Sequence, residues 1–432
     1  MSWDFEIDPD FQRELDWIDT FVTERIEPLD LLLGDTADKS DPATVAVVRP
    51  LMDQVKARGL WACHLGPELG GPGYGQVKLG LMNEILGRSR WAPTIFGSQA
   101  PDSGNAEILA RFGTPEQKKE WLEPLLDGEI STSFAMTEPQ GGADPTLFRT
   151  TARREGGHWL IDGEKWFITN ARHAALFIVM TVTNREADPY QGMSMLLVPA
   201  GTTGLEIVRD VHTCEGDQLG SHSYVRFTDC RVPAANLLGA EGAAFAIAQT
   251  RLGGGRIHHA MRTIAQLRQA FDMMCERVVS RSARGGSLSS LQMTQERIAD
   301  SWIEIEQFRL LVLRTAWLID KHQDYRKVRK DISAVKAAMP KVLHDVVMRA
   351  MHLHGSLGLS EEMPLTRMLL HSESMALADG PTEVHKVTVA RDLLRGYQPY
   401  EGLWPSAHLP SARERARARF ADLIGRAVVA ES

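Results

Sequence analysis

The hydrophobic positions of this 432-residue chain change their spacing twice. Up to about residue 128 they recur every three or four positions, as in Asp10–Ile26, which predicts amphipathic helices. From about Glu129 apolar and polar residues alternate, which predicts strands, and beyond Gly242 the helical period returns. The pattern therefore predicts an α+β protein, mostly α, with a β part between two helical parts.

Strand candidates in the β part are Trp159–Phe167, Ala174–Thr183, Met193–Val198, Leu205–Val208 and Tyr224–Phe227. Asp162-Gly163, inside the first candidate, predicts a hairpin with a type I′ turn, because glycine readily takes the positive φ that this turn requires. Turn residues at regular intervals between the strands predict a small antiparallel β-barrel.

The helical parts show clear start signals and one expected interruption. Thr114, Pro115 and Gln117 form a predicted capping box at the start of a helix that should end near Asp127. Gly253-Gly254-Gly255 should bend or break a later helix near its start, because glycine is a poor helix former. The four helices predicted beyond Gly242 are Arg256–Val279, Gln292–His322, Asp331–His354 and Pro381–Leu394.

Long helices joined by short loops predict a C-terminal four-helix bundle. The predicted domains are an N-terminal α-helical domain (1–128), a β-barrel domain (129–242), the C-terminal helical bundle (243–398) and a basic tail (399–432). Two or three domains are what a chain of this length should contain.

Composition narrows the class of protein. The chain is 43% hydrophobic and 24% charged, as an ordinary globular protein is, and its formal net charge of −8 argues against general nucleic-acid binding. Cys63, Cys214, Cys230 and Cys275 have no metal-ligand spacing, so we expect no metal site and a reducing compartment. The acidic N-terminus and the lack of a long apolar run predict a cytoplasmic protein without a membrane segment.

Three short segments carry the candidate chemistry. Phe134–Asp144 reads FAMTEPQGGAD, and Gly163–Asn170 reads GEKWFITN. In the first, Pro139 prevents a central strand from continuing, and Gly141-Gly142 lets the backbone approach a flat or anionic ligand. A tight loop at a strand end is the simpler interpretation of a single such segment. The third, Ala378–Pro381, precedes a predicted helix, where an aspartate can act as the N-cap.

Together the three segments resemble the acyl-CoA dehydrogenase family over roughly residues 10–395. The resemblance implies an FAD-dependent enzyme that oxidises an acyl-CoA to a trans-2-enoyl-CoA and passes electrons to an electron-transferring flavoprotein. The Asp-Gly-Pro sequence is similar to the branch whose vertebrate members are fused to phosphotransferase-like domains. By this resemblance Asp379 removes the α-proton while flavin N5 takes the β-hydride. Gly255 occupies the position where some members carry the base, and His258 and His259 receive no catalytic role.

The resemblance also implies binding residues and an assembly. The implied contacts of the flavin are Phe134, Met136, Thr137, Gly142, Ala143, Phe167 and Thr169. The implied adenosine contacts, made across a subunit boundary, are Arg281, Gln292, His352 and Ser356, and Glu383 completes the cofactor set. Ala143, Arg256 and Gly380 are the implied substrate contacts. Arg284 replaces the phenylalanine of the family's Arg-x-x-Phe-Gly motif. A homodimer or homotetramer follows from the shared adenosine site.

Two other functions stay open. A nitroalkane-oxidase-like flavin oxidase would keep the fold and the aspartate base but return electrons to oxygen. A DNA-binding relative of the same fold would bind through the arginines of the tail, Arg413, Arg415, Arg417 and Arg419. The net charge opposes the second alternative, so nucleic acid is not an expected partner. No motif determines the length, branching or hydroxylation of an acyl substrate.

Overall fold

The protein is described by a computed structural model that covers residues 5–33, 41–213, 222–283 and 285–430. Cys214 and Arg284 lie outside these described residues. The chain divides into two compact units, Met1–Lys386 and Val387–Ser432, and the candidate site lies within the first.

The N-terminal region is helical, as its sequence period predicts. Its helices are α1 (Pro9–Phe21), α2 (Pro42–Ala57), α3 (Gly75–Leu86), α4 (Ala92–Ile95), α5 (Asp102–Phe112), α6 (Pro115–Gln117) and α7 (Glu123–Leu126). The helix predicted for Asp10–Ile26 is α1 followed by a π-helical turn at Val22–Ile26. The capping box is confirmed, because the Thr114 hydroxyl accepts from Gln117 N while Gln117 Oε1 accepts from Thr114 N.

The middle region is an open sheet, so the predicted barrel is wrong. Its strands are β1 (Ser131–Ala135), β2 (Thr151–Glu155), β3 (His158–Thr169), β4 (Ala174–Val182), β5 (Met193–Pro199), β6 (Leu205–Asp210), β7 (His222–Pro233) and β8 (Leu237–Leu238). The strand order is β6-β7-β3-β2-β4-β5-β8, and β1 runs parallel to β4. Closure would need β6 to pair with β8, but the pairing path ends at these two strands, and β8 has only two residues.

The hairpin predicted at Asp162-Gly163 is also wrong, because β3 continues through both residues. The chain reverses earlier, at Gly156-Gly157, between the antiparallel strands β2 and β3. The register between β3 and β7 shifts between Ile161 and Gly163. A Cβ at Gly163 would lie only 2.5 Å from Thr150 Cα, so this glycine permits a close approach of the backbone and not a turn.

The C-terminal region contains α8 (Ala244–Ser280), the short strands β9 (Ser282–Ala283) and β10 (Gly286–Ser287), and then α9 (Gln292–His322), α10 (Arg329–His354), α11 (Leu365–Leu377) and α12 (Thr382–Leu394). The predicted break at Gly253–Gly255 is wrong, because α8 runs through the three glycines. Helix α11, which packs against α10, was not predicted from the sequence. The second unit contains α13 (Leu409–Ala430), which was not predicted as a helix either.

One continuous core joins the first and last helical regions. A stripe of α8, formed by Ile257, Met261, Ile264 and Leu267, is fully buried in the same cluster as residues of α3, α9 and α10. None of the helices in the described ranges is long and apolar enough to cross a membrane. The described part of the chain also contains no cluster of three or more His, Cys, Asp or Glu side chains that could hold a metal ion.

Candidate active site

Asp379 lies in the short connection between α11 and α12 and has an unusual backbone conformation. Its φ is +56°, in the left-handed region that costs a residue with a Cβ roughly 1–2 kcal/mol. Two side chains hold this conformation through the Asp379 carbonyl. Arg256 Nε donates to it at 2.9 Å, and His385 Nε2 lies 3.3 Å away and donates when it carries the ring proton. Arg256 therefore contacts the backbone of the candidate base.

The Asp379 carboxylate faces α8. Its Oδ2 lies 3.7 Å from His259 Nε2, and the two side chains are 18% and 23% exposed. This contact is with a residue of α8 and not with the amides of the first turn of α12. This geometry does not favour a role as an N-cap.

The surroundings of Asp379 are strongly cationic. Burial alone would raise the pKa of its carboxyl, but other groups outweigh burial and hold that pKa below its usual value. These groups are the His259 ring, which is positive only when it is protonated, and then the cations Arg251, Arg256 and Lys336. Burial likewise lowers the pKa of Lys336 to about 8, and its ammonium donates to the carbonyl of Met375 in α11. At neutral pH Asp379 is therefore ionised without a bound ligand, as a proton acceptor must be.

Burial lowers the pKa of His259 to about 4, despite the opposing effect of Asp379, so its ring is neutral at pH 7. Neither His259 nor Lys336 was expected from the sequence to affect the pKa of Asp379. The sequence signal for Lys336 is a charged residue on the apolar face of α10, where it is fully buried. For His259 there is no such signal, because its contact depends on how α11 and α12 meet α8.

Because the three glycines of α8 have no side chains, three side chains from other parts of the chain can pack close to this helix. A Cβ at Gly253 would lie 2.9 Å from the Tyr325 ring, and a Cβ at Gly254 would lie 3.2 Å from Glu107 Oε2. A Cβ at Gly255 would lie 3.0 Å from Asp379 Oδ2. The triplet thus lets the candidate base and two other polar side chains approach the helix closely.

The two predicted flavin-contacting segments meet where β1 and β3 are joined. Trp166 N donates to Thr137 O at 2.8 Å, which connects the loop after β1 to β3. The half-buried residues Met136, Thr137 and Thr169 lie in this region, whereas Gly142 and Ala143 are exposed further along the loop. Gly141 is buried, so of the two neighbouring glycines only Gly142 is open to a ligand.

A buried ion pair that was not predicted from the sequence fixes this loop. Lys165 Nζ donates to Glu138 Oε1 at 2.8 Å and to Met136 O at 2.9 Å, and both charged side chains are at most 1% exposed. Glu138 also accepts from the backbone N–H groups of Arg149 and Thr150. A lysine and a glutamate within the two conspicuous motifs were the available signal. The pair connects the loop after β1 to β3 and to the start of β2.

Phe167 presents an aromatic surface beside this loop. It is 44% exposed and has a φ of +56°, which a bulky side chain rarely adopts. The rings of Trp166 and His222 lie 4.9 Å and 6.1 Å from the Phe167 ring. An exposed ring held in a strained conformation is suited to stacking on a flat ligand.

Phe134 connects the loop to the base. The Arg251 guanidinium lies 4.1 Å from the centre of the Phe134 ring, and Arg251 Nε donates to Asn105 Oδ1 at 2.8 Å. Asn105 in turn donates to the hydroxyl of Thr132 in β1. Because Arg251 also acts electrostatically on Asp379, one buried cation links the sheet, α5 and the candidate base.

The other predicted cofactor residues lie at the surface of the chain. Arg281, Gln292, His352, Ser356 and Glu383 are all exposed. Gly380 lies next to the base with a φ of +104°, and a Cβ there would be 3.1 Å from His385 Nε2.

A cavity of about 1020 Å³ extends from the sheet to the helices. Thr169 and Asn170 line it on the sheet side, Gln99 and Ser103 on the N-terminal helical side, and His371 on α11. Arg262 Nη1 donates to Gln99 Oε1 at 2.8 Å, which fixes this wall to α8. The cavity thus adjoins both the predicted flavin segment and the helix that leads to Asp379.

Three parts of the chain match the N-terminal domain (residues 11–129), the middle domain (133–230) and the C-terminal domain (242–394) of acyl-CoA dehydrogenases. Matches to all three domains, together with this fold, define a flavoprotein oxidoreductase with a sheet between two helical domains. The chain belongs to the acyl-CoA dehydrogenase family.

Individual relatives agree with this assignment. The chain is 39% identical over 378 residues to the probable acyl-CoA dehydrogenase FadE2 of Mycobacterium tuberculosis, which covers 86% of this chain and 92% of that protein. It is 39% identical over 351 residues to acyl-CoA dehydrogenase family member 11 of Gallus gallus, covering 80% of this chain but only 45% of that relative. The chain thus spans less than half the length of this second relative.

Solved structures share the fold. A putative acyl-CoA dehydrogenase from Mycobacterium abscessus has a TM-score of 0.84 and 37% sequence identity, with 91% of this chain and 100% of that chain covered. An FAD complex of PigA has a TM-score of 0.78 and 25% identity, with the same coverage.

Proposed function

We propose that the protein catalyses the FAD-dependent α,β-dehydrogenation of an acyl-CoA thioester to a trans-2-enoyl-CoA, with Asp379 as the base. The observation that carries this proposal is the Asp379 carboxylate, held ionised against α8 by a conformation that Arg256 and His385 stabilise. We also assign the chain to the branch with Asp-Gly-Pro at this position, and we keep the domain limits 1–128, 129–242, 243–398 and 399–432.

The residues around the loop after β1 fit a flavin. The exposed Phe167 ring offers a stacking surface, and Gly142 has no atom within 4 Å of a Cβ placed on it, so a ligand has room beside the backbone. Phe134, Met136, Thr137, Ala143 and Thr169 would surround the ring system. When bound, FAD supplies a hydride acceptor at N5.

Residues of this chain would accept the α-proton and orient the substrate. Asp379 Oδ2 accepts the α-proton, and its low pKa ensures that the carboxylate is available at neutral pH. The backbone N–H of Asp379 would orient the thioester carbonyl, with Gly380 and Arg256 beside it. Exclusion of water from the closed site would raise the pKa of Asp379 and so increase its strength as a base.

The assembly and the partners belong to the same proposal. Arg281, Gln292, His352 and Ser356 are exposed, as residues that reach a cofactor bound to a neighbouring subunit must be. We therefore propose a homodimer or homotetramer in which these residues, with Glu383, bind the adenosine part of FAD. Electrons would pass to an electron-transferring flavoprotein in the cytoplasm.

The decisive experiment follows the flavin absorption of anaerobic protein during addition of acyl-CoAs of increasing chain length. Bleaching by an acyl-CoA together with formation of the enoyl-CoA supports the proposal. Nitroethane is the matched alternative substrate, because a nitroalkane oxidase would also use an aspartate base. If nitroethane bleaches the flavin and no acyl-CoA does, the protein is a nitroalkane oxidase and not an acyl-CoA dehydrogenase.

A further inference from the structure

His259 is the neutral group in contact with the Asp379 carboxylate. The distance between His259 Nε2 and Asp379 Oδ2 is 3.7 Å, slightly longer than a hydrogen bond and short enough to close with a small rotation. His259 is one helical turn beyond Gly255, on the same face of α8, and the lack of a side chain at Gly255 leaves room for the carboxylate.

Three of the other groups that act on Asp379 are cations and cannot take a proton from it. The neutral ring of His385 also acts on Asp379, but its Nε2 faces the backbone carbonyl, 3.3 Å away, and not the carboxylate. Arg251 and Arg256 are guanidinium ions and stay protonated at every pH at which the protein is folded. Lys336, from α10, has a pKa lowered to about 8 by burial and is largely protonated at neutral pH. The uncharged ring of His259 has a free lone pair on one nitrogen. It is therefore the only proton acceptor among the four groups that hold the pKa of Asp379 down.

The titratable groups that act on His259 lie on three helices and on the connection between two of them. Arg262 and His258 lie on its own helix, Lys336 on α10, His371 on α11, and Asp379 between α11 and α12. Burial, Arg262, Lys336 and His371 lower the pKa of His259, and Asp379 alone raises it. An imidazolium at this position is thus stabilised by one group, the carboxylate that would have delivered the proton.

We propose that His259 receives from Asp379 the proton that Asp379 has taken from the substrate, and releases it to water. The Oδ2–H bond of Asp379 breaks and its electron pair stays on the carboxylate, while the lone pair of His259 Nε2 forms the new N–H bond. The imidazolium then loses a proton to water, which restores the neutral ring and the ionised base. This role rests on the proposed function, and it makes His259 a residue that acts through Asp379.

The energetics suit such a transfer. The groups around Asp379 outweigh burial and hold the pKa of its carboxyl below the usual value, so a proton on this carboxyl is readily given up. Burial lowers the pKa of His259 to about 4, so the ring does not retain the proton at neutral pH. His259 is 23% exposed, so water can reach it.

The first test uses His259→Gln, which keeps a polar side chain but cannot carry an added proton. Protein with bound FAD is mixed anaerobically in deuterated water with butyryl-CoA and octanoyl-CoA, and both flavin bleaching and deuterium at the α-carbon of recovered substrate are measured. The rate of the first flavin bleaching should change by less than about threefold, because Asp379 is intact. Deuterium incorporation should fall by roughly 10²-fold, the effect expected for loss of a proton-transfer group.

His258→Gln is the matched control, because His258 is the adjacent histidine of α8 and its Nε2 lies 3.1 Å from Gln76 Oε1, away from the carboxylate. This variant should leave the ratio of deuterium incorporation to flavin bleaching unchanged. An unchanged ratio in His259→Gln would overturn the relay while leaving dehydrogenation intact. Failure of wild-type protein to respond to any acyl-CoA would instead reject the proposed function.

A second test needs no substrate. The ring nitrogen shifts of ¹⁵N-labelled His259 are titrated in wild-type protein and in Asp379→Asn, with His259→Gln serving only to assign the signal. The pKa of His259 should be lower in Asp379→Asn, because the carboxylate is the one group that raises it. An identical pKa in both proteins would show that the two side chains do not share a proton and would overturn the relay.

Discussion

Gly255 lies directly beneath the carboxylate of Asp379, and a Cβ on Gly255 would be 3.0 Å from Asp379 Oδ2. Glycine inside a helix is unfavourable by about 1 kcal/mol relative to alanine, and α8 nevertheless carries three in succession. The packing of Asp379, Glu107 and Tyr325 against these glycines explains why the helix contains them. A larger side chain at position 255 would therefore compete with the Asp379 carboxylate for the same space.

Gly255→Ala should lower the activity of the protein without lowering its stability. The added methyl group pushes the carboxylate by a few tenths of an ångström, so we expect turnover to fall roughly threefold to tenfold. Unfolding should need about the same or higher denaturant concentration, because alanine favours the helix. Gly80→Ala in α3 is the control, since its Cβ would make only ordinary contacts, 3.4 Å or longer. Full activity in Gly255→Ala would mean that the position of Asp379 is not critical.

Asp379→Asn should abolish most turnover while the protein still binds FAD. The amide keeps the shape of the side chain but cannot accept the α-proton, so the rate should fall by at least ~10²-fold. Asp379→Glu should retain more activity if the pocket accepts the longer side chain. Steady-state rates with an artificial electron acceptor, normalised to flavin content, provide the measurement. An Asp379→Asn variant with the wild-type rate would place the base elsewhere.

Glu138→Gln should destabilise the protein and weaken retention of FAD. It leaves the buried Lys165 ammonium without its counter-ion, which typically costs about 3–5 kcal/mol, and it loosens the loop at Met136. Adding Lys165→Met should recover part of the loss. Glu164→Gln is the control, because its partner Arg226 is exposed and such pairs contribute about 0–1 kcal/mol. Equal urea midpoints for the Glu138→Gln and Glu164→Gln variants would contradict a structural role for the buried pair.

The protein should lose stability in mild acid, partly through His64. Burial lowers the pKa of His64 to about 4, and the Nδ1 of its ring has no hydrogen-bond partner among the described residues. The unfolded chain therefore binds a proton at this residue between about pH 6.5 and pH 4 that the folded chain does not bind, and stability falls as the pH decreases through this range.

Between pH 7 and pH 5 this single residue should cost about 2 kcal/mol of unfolding free energy. His64→Gln keeps a donor for Ser103 O, which lies 3.1 Å from His64 Nε2, but cannot titrate, so its urea midpoint should depend less on pH. His322→Gln changes an exposed histidine and serves as the control. Identical pH dependence in wild type and His64→Gln would reject this explanation.

Local periodicity was enough to predict most elements of this fold. Gln292–His322 is helical over the range that its apolar spacing predicts, and the strands from Ala174, Met193 and Leu205 begin where their alternation begins. The glycines misled the sequence analysis. Gly163 and Gly255 look like a turn and a helix breaker, but each allows a group distant in sequence to come close, a requirement that local sequence does not contain.

The sequence by itself determined the order of helices and strands, the loops that match a flavoprotein family and Asp379 as the candidate base. The order of the elements follows from residue type and short-range spacing, which act within one element. The role of Asp379 follows from the resemblance of the short motifs to that family. Tertiary structure alone decided that the sheet stays open, that Lys165 pairs with Glu138, and that His259 and Lys336 lie beside Asp379. Such contacts join residues far apart in the chain, and the charge and proton affinity of a buried side chain depend on those neighbours rather than on its own identity.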